Sequence, residues 1–210
     1  MVQGINAKDV ILKIIKSIEE NKEWLSEIDG AIGDGDHGVN MAKGFGIVKS
    51  GIDSVPNDFS KLLNFVGMTL VTNIGGAMGP IYGTFFMRMG KAVEGKSVLE
   101  KEDILRMLLE SLEGVKKRGG AEVGDKTLVD TLDAAKKSYE RAINEDRDLR
   151  EAIDEMIEGA RKGMESTKDF VAKKGRSSRL GERSKGTIDA GAASCYLILK
   201  SIGESLKEYI

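Results

Sequence analysis

Three aspartates within eight residues carry the strongest chemical signal in the chain: Asp29, Asp34 and Asp36, in Ile28-Asp-Gly-Ala-Ile-Gly-Asp-Gly-Asp-His-Gly-Val-Asn-Met41. The interleaved glycines let the backbone fold back on itself and bring the carboxylates together. Carboxylates that close repel one another unless a cation neutralises them or a proton is shared. Oxygen-only ligands select a hard cation, Mg²⁺ or Ca²⁺. Mg²⁺ takes few protein carboxylates and completes its octahedron with water and phosphate oxygens. Three carboxylates and a nucleoside diphosphate carry roughly −6, which two Mg²⁺ ions largely offset. The plainer alternative is an Asx-turn and helix N-cap, with Asp36 or Asn40 as the capping residue.

Three better-known patterns fail here. Gly33-x-Gly35-x-x-Gly38 matches a dinucleotide fingerprint, but no hydrophobic strand precedes it, and Asp34 and Asp36 would repel a pyrophosphate. A calcium-binding EF-hand loop starting at Asp34 needs Gly, Asp or Asn, and Glu where the chain has Val39, Gly38 and Phe45. Gly124-Asp125-Lys126-Thr127 resembles the tail of a P-loop, but Asp125 interrupts it.

The elements that must position these residues are helices. Apolar residues recur at helical spacing nearly throughout, and period-2 alternation is scarce. Ile11, Ile14, Ile15 and Ile18 line a first helix running to about Leu25. Met41, Phe45, Val48 and Ile52 line a second; Leu62, Val66 and Leu70 a third. A helix starting near Pro80 carries Phe85, Phe86 and Met89. Stripes from Ile104 to Val115, Leu128 to Tyr139, Ala152 to Ala160 and Ala192 to Leu206 complete about eight amphipathic helices with short connections, which favours antiparallel neighbours. With only 2 prolines and no low-complexity segment, residues 1–210 read as a single domain. The 26 glycines gather in four loops, Gly30–Gly38, Gly75–Gly83, Gly119–Gly124 and Gly175–Gly191, as expected if several helix ends converge on one bound group.

Composition narrows the function classes. A net charge of −2, from 32 basic and 34 acidic residues, gives no electrostatic case for nucleic acid or an anionic membrane. No apolar run is long enough to span a bilayer or act as a signal peptide. The single cysteine, Cys195, sits in an apolar stripe and suits the core of a cytoplasmic protein. One histidine, His37, excludes any multi-histidine metal site.

Ile32-Gly-Asp-Gly-Asp-His-Gly-Val-Asn-Met41 resembles the signature of the nucleotide-binding subunit of dihydroxyacetone kinases. Three further segments match in the expected order: Gly75-Gly-Ala-Met-Gly-Pro-Ile-Tyr-Gly-Thr-Phe-Phe86, Gly124-Asp-Lys-Thr127, and Lys174 to Ser184 continuing to Asp189-Ala-Gly191. The resemblance implies an all-α fold, an eight-helix antiparallel up-and-down barrel with the nucleotide capping one end. It implies that Asp29, Asp34 and Asp36 hold two Mg²⁺ ions on ADP or ATP. It lines the nucleotide pocket with His37, Val39, Asn40, Ala77, Met78, Gly119, Leu128, Arg176, Asp189 and Gly191. Asp36, Asp34 and Arg176 are the expected catalytic residues, Asp36 foremost. Met78 departs from the family's usual serine, leaving backbone amides to meet a phosphate there.

Two architectures occur in that family. One fuses this domain behind a triose-binding domain and uses ATP directly. In the other it is a separate subunit holding ADP as a coenzyme, rephosphorylated by a phosphohistidine carrier protein, while a partner subunit holds dihydroxyacetone. A chain ending at Ile210 resembles the separate kind, and its lone histidine leaves both histidine tasks to partners; homodimerisation stays open. The alternatives are a stand-alone ATP-dependent kinase for a related ketose, and a non-enzymatic helical module for ligand binding or regulation. Lys173–Gly186, with six cations and one acid, reads as a basic lid over the nucleotide. Lys126 reads equally as a ligand of a transferred phosphoryl group or as one half of an ordinary salt bridge.

Overall fold

The first apolar stripe breaks at Asn21, whose side-chain amide donates to the Ser17 carbonyl (2.8 Å) and ends α1, Ala7–Glu20. In the computed structural model, which describes residues 1–210, the chain restarts at once as α2, Lys22–Ile32, rather than continuing one helix to Leu25. The sequence reading therefore misses a helix, and with it the fact that Asp29 is helical. Seven more follow: α3 His37–Gly51, α4 Phe59–Asn73, α5 Met78–Ala92, α6 Lys101–Gly119, α7 Leu128–Asn144, α8 Leu149–Ser166 and α9 Ala190–Lys207. Short 3₁₀ turns span Ile52–Ser54, Thr167–Asp169 and Arg176–Ser184. The only sheet is a two-residue antiparallel pair, Val2–Gln3 (β1) with Val98–Leu99 (β2).

Local signals set most of the helix ends. Asp58 accepts the Lys61 amide (2.8 Å) at the start of α4, and Asp189 accepts that of Ala192 (2.8 Å) at the start of α9. Reciprocal capping boxes, Glu100/Asp103, Thr127/Asp130 and Asp148/Glu151, open α6, α7 and α8. Gly120, left-handed at φ 59°, closes α6.

The buried faces then merge into one contiguous apolar core. Helix neighbours close a circuit: α1 packs on α3, α3 on α4, α4 on α5, and so on through α9, which returns to α1. Helix α2 stands outside this circuit, against α3 and α9. Because successive members of the circuit from α3 onward are joined by connections from one end to its neighbour, α3, α5, α7 and α9 all begin where the acidic segment lies. Helix α9 is the most thoroughly buried of these, with Cys195 and Leu199 in its core face; burial pushes the Cys195 thiol well above its usual range.

Glycine sets how closely α2 and α3 approach. A Cβ on Gly38 would run into the Lys22 carbonyl oxygen and come within 2.7 Å of Ser26 Oγ, whereas one on Gly46, further along α3, would meet nothing within 4 Å. Gly38→Ala is therefore expected to cost about 2 kcal/mol or more in unfolding free energy, through overpacking. Gly46→Ala should instead be neutral or stabilise by up to about 1 kcal/mol, by helix propensity. Urea unfolding of both variants checks this; equal effects would refute the close-packing account.

Candidate active site

The acidic segment is the last turn of α2 plus a four-residue connection to α3. Gly33 closes α2 by donating its amide to the Asp29 carbonyl, and Gly35 adopts φ 74°, turning the chain back toward Gly30. The carboxylate oxygens of Asp29, Asp34 and Asp36 then lie within 4.8 Å of one another. Asp36 occupies the N-cap position of α3, yet its carboxylate makes no capping bond, so the plain capping alternative does not describe it. Asp29 is half-buried and accepts the His37 amide at 3.3 Å. Burial raises its carboxyl above the usual range; Asp34 and Asp36 add to this, and the His37 amide opposes it. A divalent cation would reverse the balance, and a half-exposed set of oxygens leaves room for water and phosphate. The residues present fit Mg²⁺.

This cluster lines a cavity of about 510 Å³. Its walls include the first residues of α3 (His37, Asn40), α5 (Met78, Ile81, Tyr82), α7 (Leu128) and α9 (Ala190, Gly191). Four helix N-termini, each with free amides and a partial positive charge, thus meet at one end of the molecule, an arrangement suited to phosphate. Met78, Ile81 and Leu128 supply apolar surface of the kind a nucleobase packs on. Of the expected pocket residues, His37, Asn40, Ala77, Met78, Leu128, Arg176, Asp189 and Gly191 are on the wall. Two are not. Val39 turns to solvent, 49% exposed, and Gly119 stands behind Ile81, whose Cδ1 would be 2.9 Å from a Cβ there.

The basic segment does cover this cavity. Its 3₁₀ turn, kinked at Gly181 (φ 56°), places Lys174, Gly175, Arg176 and Ser177 on the wall. Arg176 forms an ion pair with Asp34, so a guanidinium of the chain itself neutralises one of the three acids. The base of the lid is fixed: Lys173 Nζ lies 3.2 Å from Asp125, and the Lys173 amide donates to the Asp125 carbonyl (3.1 Å).

Lys126 is on the wall of this cavity, and it is not half of an ordinary salt bridge. It is 1% exposed, at φ 63°, and its ammonium donates to the carbonyls of Thr167 and Thr187. Burial lowers its pKa, opposed by the charges of Asp189, Asp130 and Asp169. It therefore clamps both ends of the segment that carries the lid. Asp189, beside it, is pushed up to about 7 by burial despite the Ala192 amide.

Sequence reasoning also missed a polar network beneath the cavity. His37 Nε2 lies 2.8 Å from Ser194 Oγ, Tyr82 OH donates to the Gly191 carbonyl (3.0 Å), and Thr131 Oγ1 donates to that of Ala192 (3.0 Å). Side chains of α3, α5 and α7 are thereby stapled to the first turns of α9. Burial pushes the His37 imidazole down to about 4, so it is a neutral structural partner. The available signal was Ser194, a hydroxyl in the apolar run Ala192–Leu199.

A family model described as the DAK2 domain matches residues 31–204. The chain is 40% identical over 188 residues to the ADP-binding subunit DhaL of PEP-dependent dihydroxyacetone kinase 1 from Listeria innocua, covering 88% of each. It is 36% identical over 187 residues to the corresponding Escherichia coli subunit, covering 89% of each. Among solved structures it resembles the dihydroxyacetone kinase of C. freundii, with a TM-score of 0.73 and 22% identity over 98% of this chain. The chain spans only 36% of that protein, so this likeness bears on the fold alone.

Two measurements test the clamp and its neighbour. Lys126→Met strands two buried carbonyls and should lower stability by about 2–4 kcal/mol in urea unfolding; a change below about 0.5 kcal/mol would contradict the clamp. Asp189 holds its proton more tightly folded (about 7) than at its ordinary 3.8, so its stabilising contribution is complete below pH 3.8 and drains away as pH rises through 7. Against Asp189→Asn, which keeps the capping oxygen, the wild type should lose stability between pH 4 and pH 7; parallel profiles would refute the shift.

Proposed function

The chain belongs to the DAK2 domain family, and from that premise we propose that it is the nucleotide-holding subunit of a dihydroxyacetone kinase. In this reading it keeps ADP with two Mg²⁺ ions, takes a phosphoryl group from a phosphohistidine carrier protein, and passes it to dihydroxyacetone held by a partner subunit. One observation carries it: a three-carboxylate cluster and four helix N-termini face a single cavity. Clustered acids are relieved by cations, and converging helix ends by an anion. A metal-bound nucleotide supplies both. The relatives' names, ADP-binding subunits of PEP-dependent kinases, agree with it.

Mg²⁺, when bound, would draw charge from the phosphate oxygens and offset the negative charge that builds during transfer. The chain's own residues do the rest. Asp29, Asp34 and Asp36 would hold the metal, with Asp36, free of any capping task, the most sensitive to loss. The amides opening α5, at Ala77 and Met78, would donate to phosphate oxygens, so the Met78 side chain forfeits little by lacking a hydroxyl. Met78 and Leu128 would pack on the base. Asp189 would fix the start of α9 beside Gly191, and Arg176 would exchange its pairing with Asp34 for the phosphates, closing the lid. His37, the only histidine, is buried against Ser194, so the chain has no exposed imidazole to carry phosphate or bind the triose. That favours a separate carrier and a separate triose subunit.

Isothermal titration should give saturable, Mg²⁺-dependent ADP binding, and Asp36→Asn should reduce phosphoryl transfer in the reconstituted system by roughly 100-fold or more. Turnover of ATP and free ketose by this chain alone would replace the proposal with a stand-alone kinase. Arg176→Ala makes a sharper test, because its effects have opposite signs. ADP retention should weaken, by about tenfold, while Mg²⁺ binding without nucleotide should tighten, since no guanidinium competes for Asp34.

A further inference from the structure

A second cavity, of about 700 Å³, lies on the flank of the molecule across α5, between α4 and α6. It shares no residue with the acidic cavity. Nine residues line it: Asn64 of α4; Thr84, Met87, Arg88 and Lys91 of α5, with Glu94 just beyond; and Gly114, Lys117 and Arg118 of α6. Four of the nine are cations, one is an acid and one is apolar, on a chain whose net charge is −2. We propose that this groove is a binding site for a small polyanion, a phosphate ester with at least two anionic groups.

The state of the cations carries the argument. Most lysines and arginines of this chain are in ion pairs or donate to carbonyls, such as Lys116 with Glu122 and Arg106 with Asp103. Lys43 on α3 and Lys61 on α4 stand apart without a partner; the others that lack one gather in two places. One is the lid and its approach, with Lys168, Lys174, Arg179 and Arg183, over a cavity suited to phosphate. The other is this groove, where Lys91, Lys117 and Arg118 have no carboxylate within 4 Å and no hydrogen bond. Arg88 completes the set; its pairing with Glu110 (3.3 Å) is half-exposed and weak enough to share its guanidinium. Lys91, Lys117 and Arg118 sit in or near the last turns of α5 and α6, where any cation offsets the helix dipole. That account does not require them to border one cavity.

The shape selects a small ligand. Thr84 to Lys91 run along the groove for about 10 Å at helical rise, and its volume falls within the range of small-molecule sites. Gly114 forms part of the floor: a Cβ there would lie 2.7 Å from Arg88 Cγ, so its absence lets the arginine lie across α6. Because α5 and α6 run antiparallel, with Glu110 beside Arg88 and Gly119 against Ile81, Arg88/Lys91 and Lys117/Arg118 enter the groove from opposite ends, and their long side chains would meet the linked anionic groups of one ligand between them. Asn64 donates through Nδ2 to the Ser60 carbonyl (3.0 Å), which leaves its amide oxygen to accept a ligand hydroxyl. One apolar residue, Met87, is too little surface for an apolar partner helix.

Calorimetric titration of pyrophosphate into metal-free protein, in chelator and about 0.1 M salt, isolates this groove, because without cations the acidic cavity repels the probe. Saturable binding at one site is expected. Lys117→Glu/Arg118→Glu, both at exposed positions, should weaken it at least tenfold, Lys91→Glu alone should weaken it less, and Arg176→Ala should leave it unchanged. Absence of saturable binding, indifference to the charge reversals, or loss in Arg176→Ala would overturn the proposal. So would binding of polyglutamate without binding of pyrophosphate, which would assign the groove to an acidic protein segment.

Discussion

The arrangement turns on mutual repulsion among Asp29, Asp34 and Asp36. Their oxygens are held within 4.8 Å by a backbone that glycine alone permits, and folding them together is unfavourable unless positive charge is brought in. The fold brings it from two directions. The helix N-termini present partial charges that belong to the backbone, whereas Arg176 presents a full charge on a side chain of the basic segment. The first makes the end of the molecule hospitable to phosphate. The second makes the site bistable, because the guanidinium and a divalent cation compete for the same carboxylate.

Convergence of the helix ends needs its own support, since four partial positive charges also repel. Helix α9 provides it. His37, Tyr82 and Thr131, from α3, α5 and α7, all hydrogen-bond within its first five residues. A neutral His37 and a carboxyl at Asp189 held near neutrality keep full charge out of this buried junction. Lys126 performs the matching task for the lid by holding Thr167 and Thr187, so the strain of a left-handed lysine is offset by two charge-assisted hydrogen bonds.

Much of this was legible in advance because it depends on local pattern. The apolar stripes through Met41, Leu62, Phe85, Leu132, Ile153 and Leu199 reappear as buried helix faces, since period 3.6 admits one way to bury them. The four glycine-rich loops marked the converging ends, and most expected pocket residues border the cavity. The break at Asn21 escaped because apolar spacing continues to Leu25 on both sides of it; only the capping bond to Ser17 ends the helix. Val39 and Gly119 were placed by similarity of sequence, and the Val39 side chain's turn to solvent and the position of Gly119 behind Ile81 depend on packing.

By itself, the sequence determined the helical class, the acidic cluster, the preference for a hard cation and the basic lid, because each follows from residue types at fixed spacing along one stretch of chain. Only the tertiary structure decided which groups face one another. It paired Arg176 with Asp34, turned Lys126 inward, bound His37 to Ser194 and left three of the four cations of the α4–α6 groove without partners. These are contacts between residues tens to more than a hundred positions apart, and such contacts exist only once the helix circuit closes.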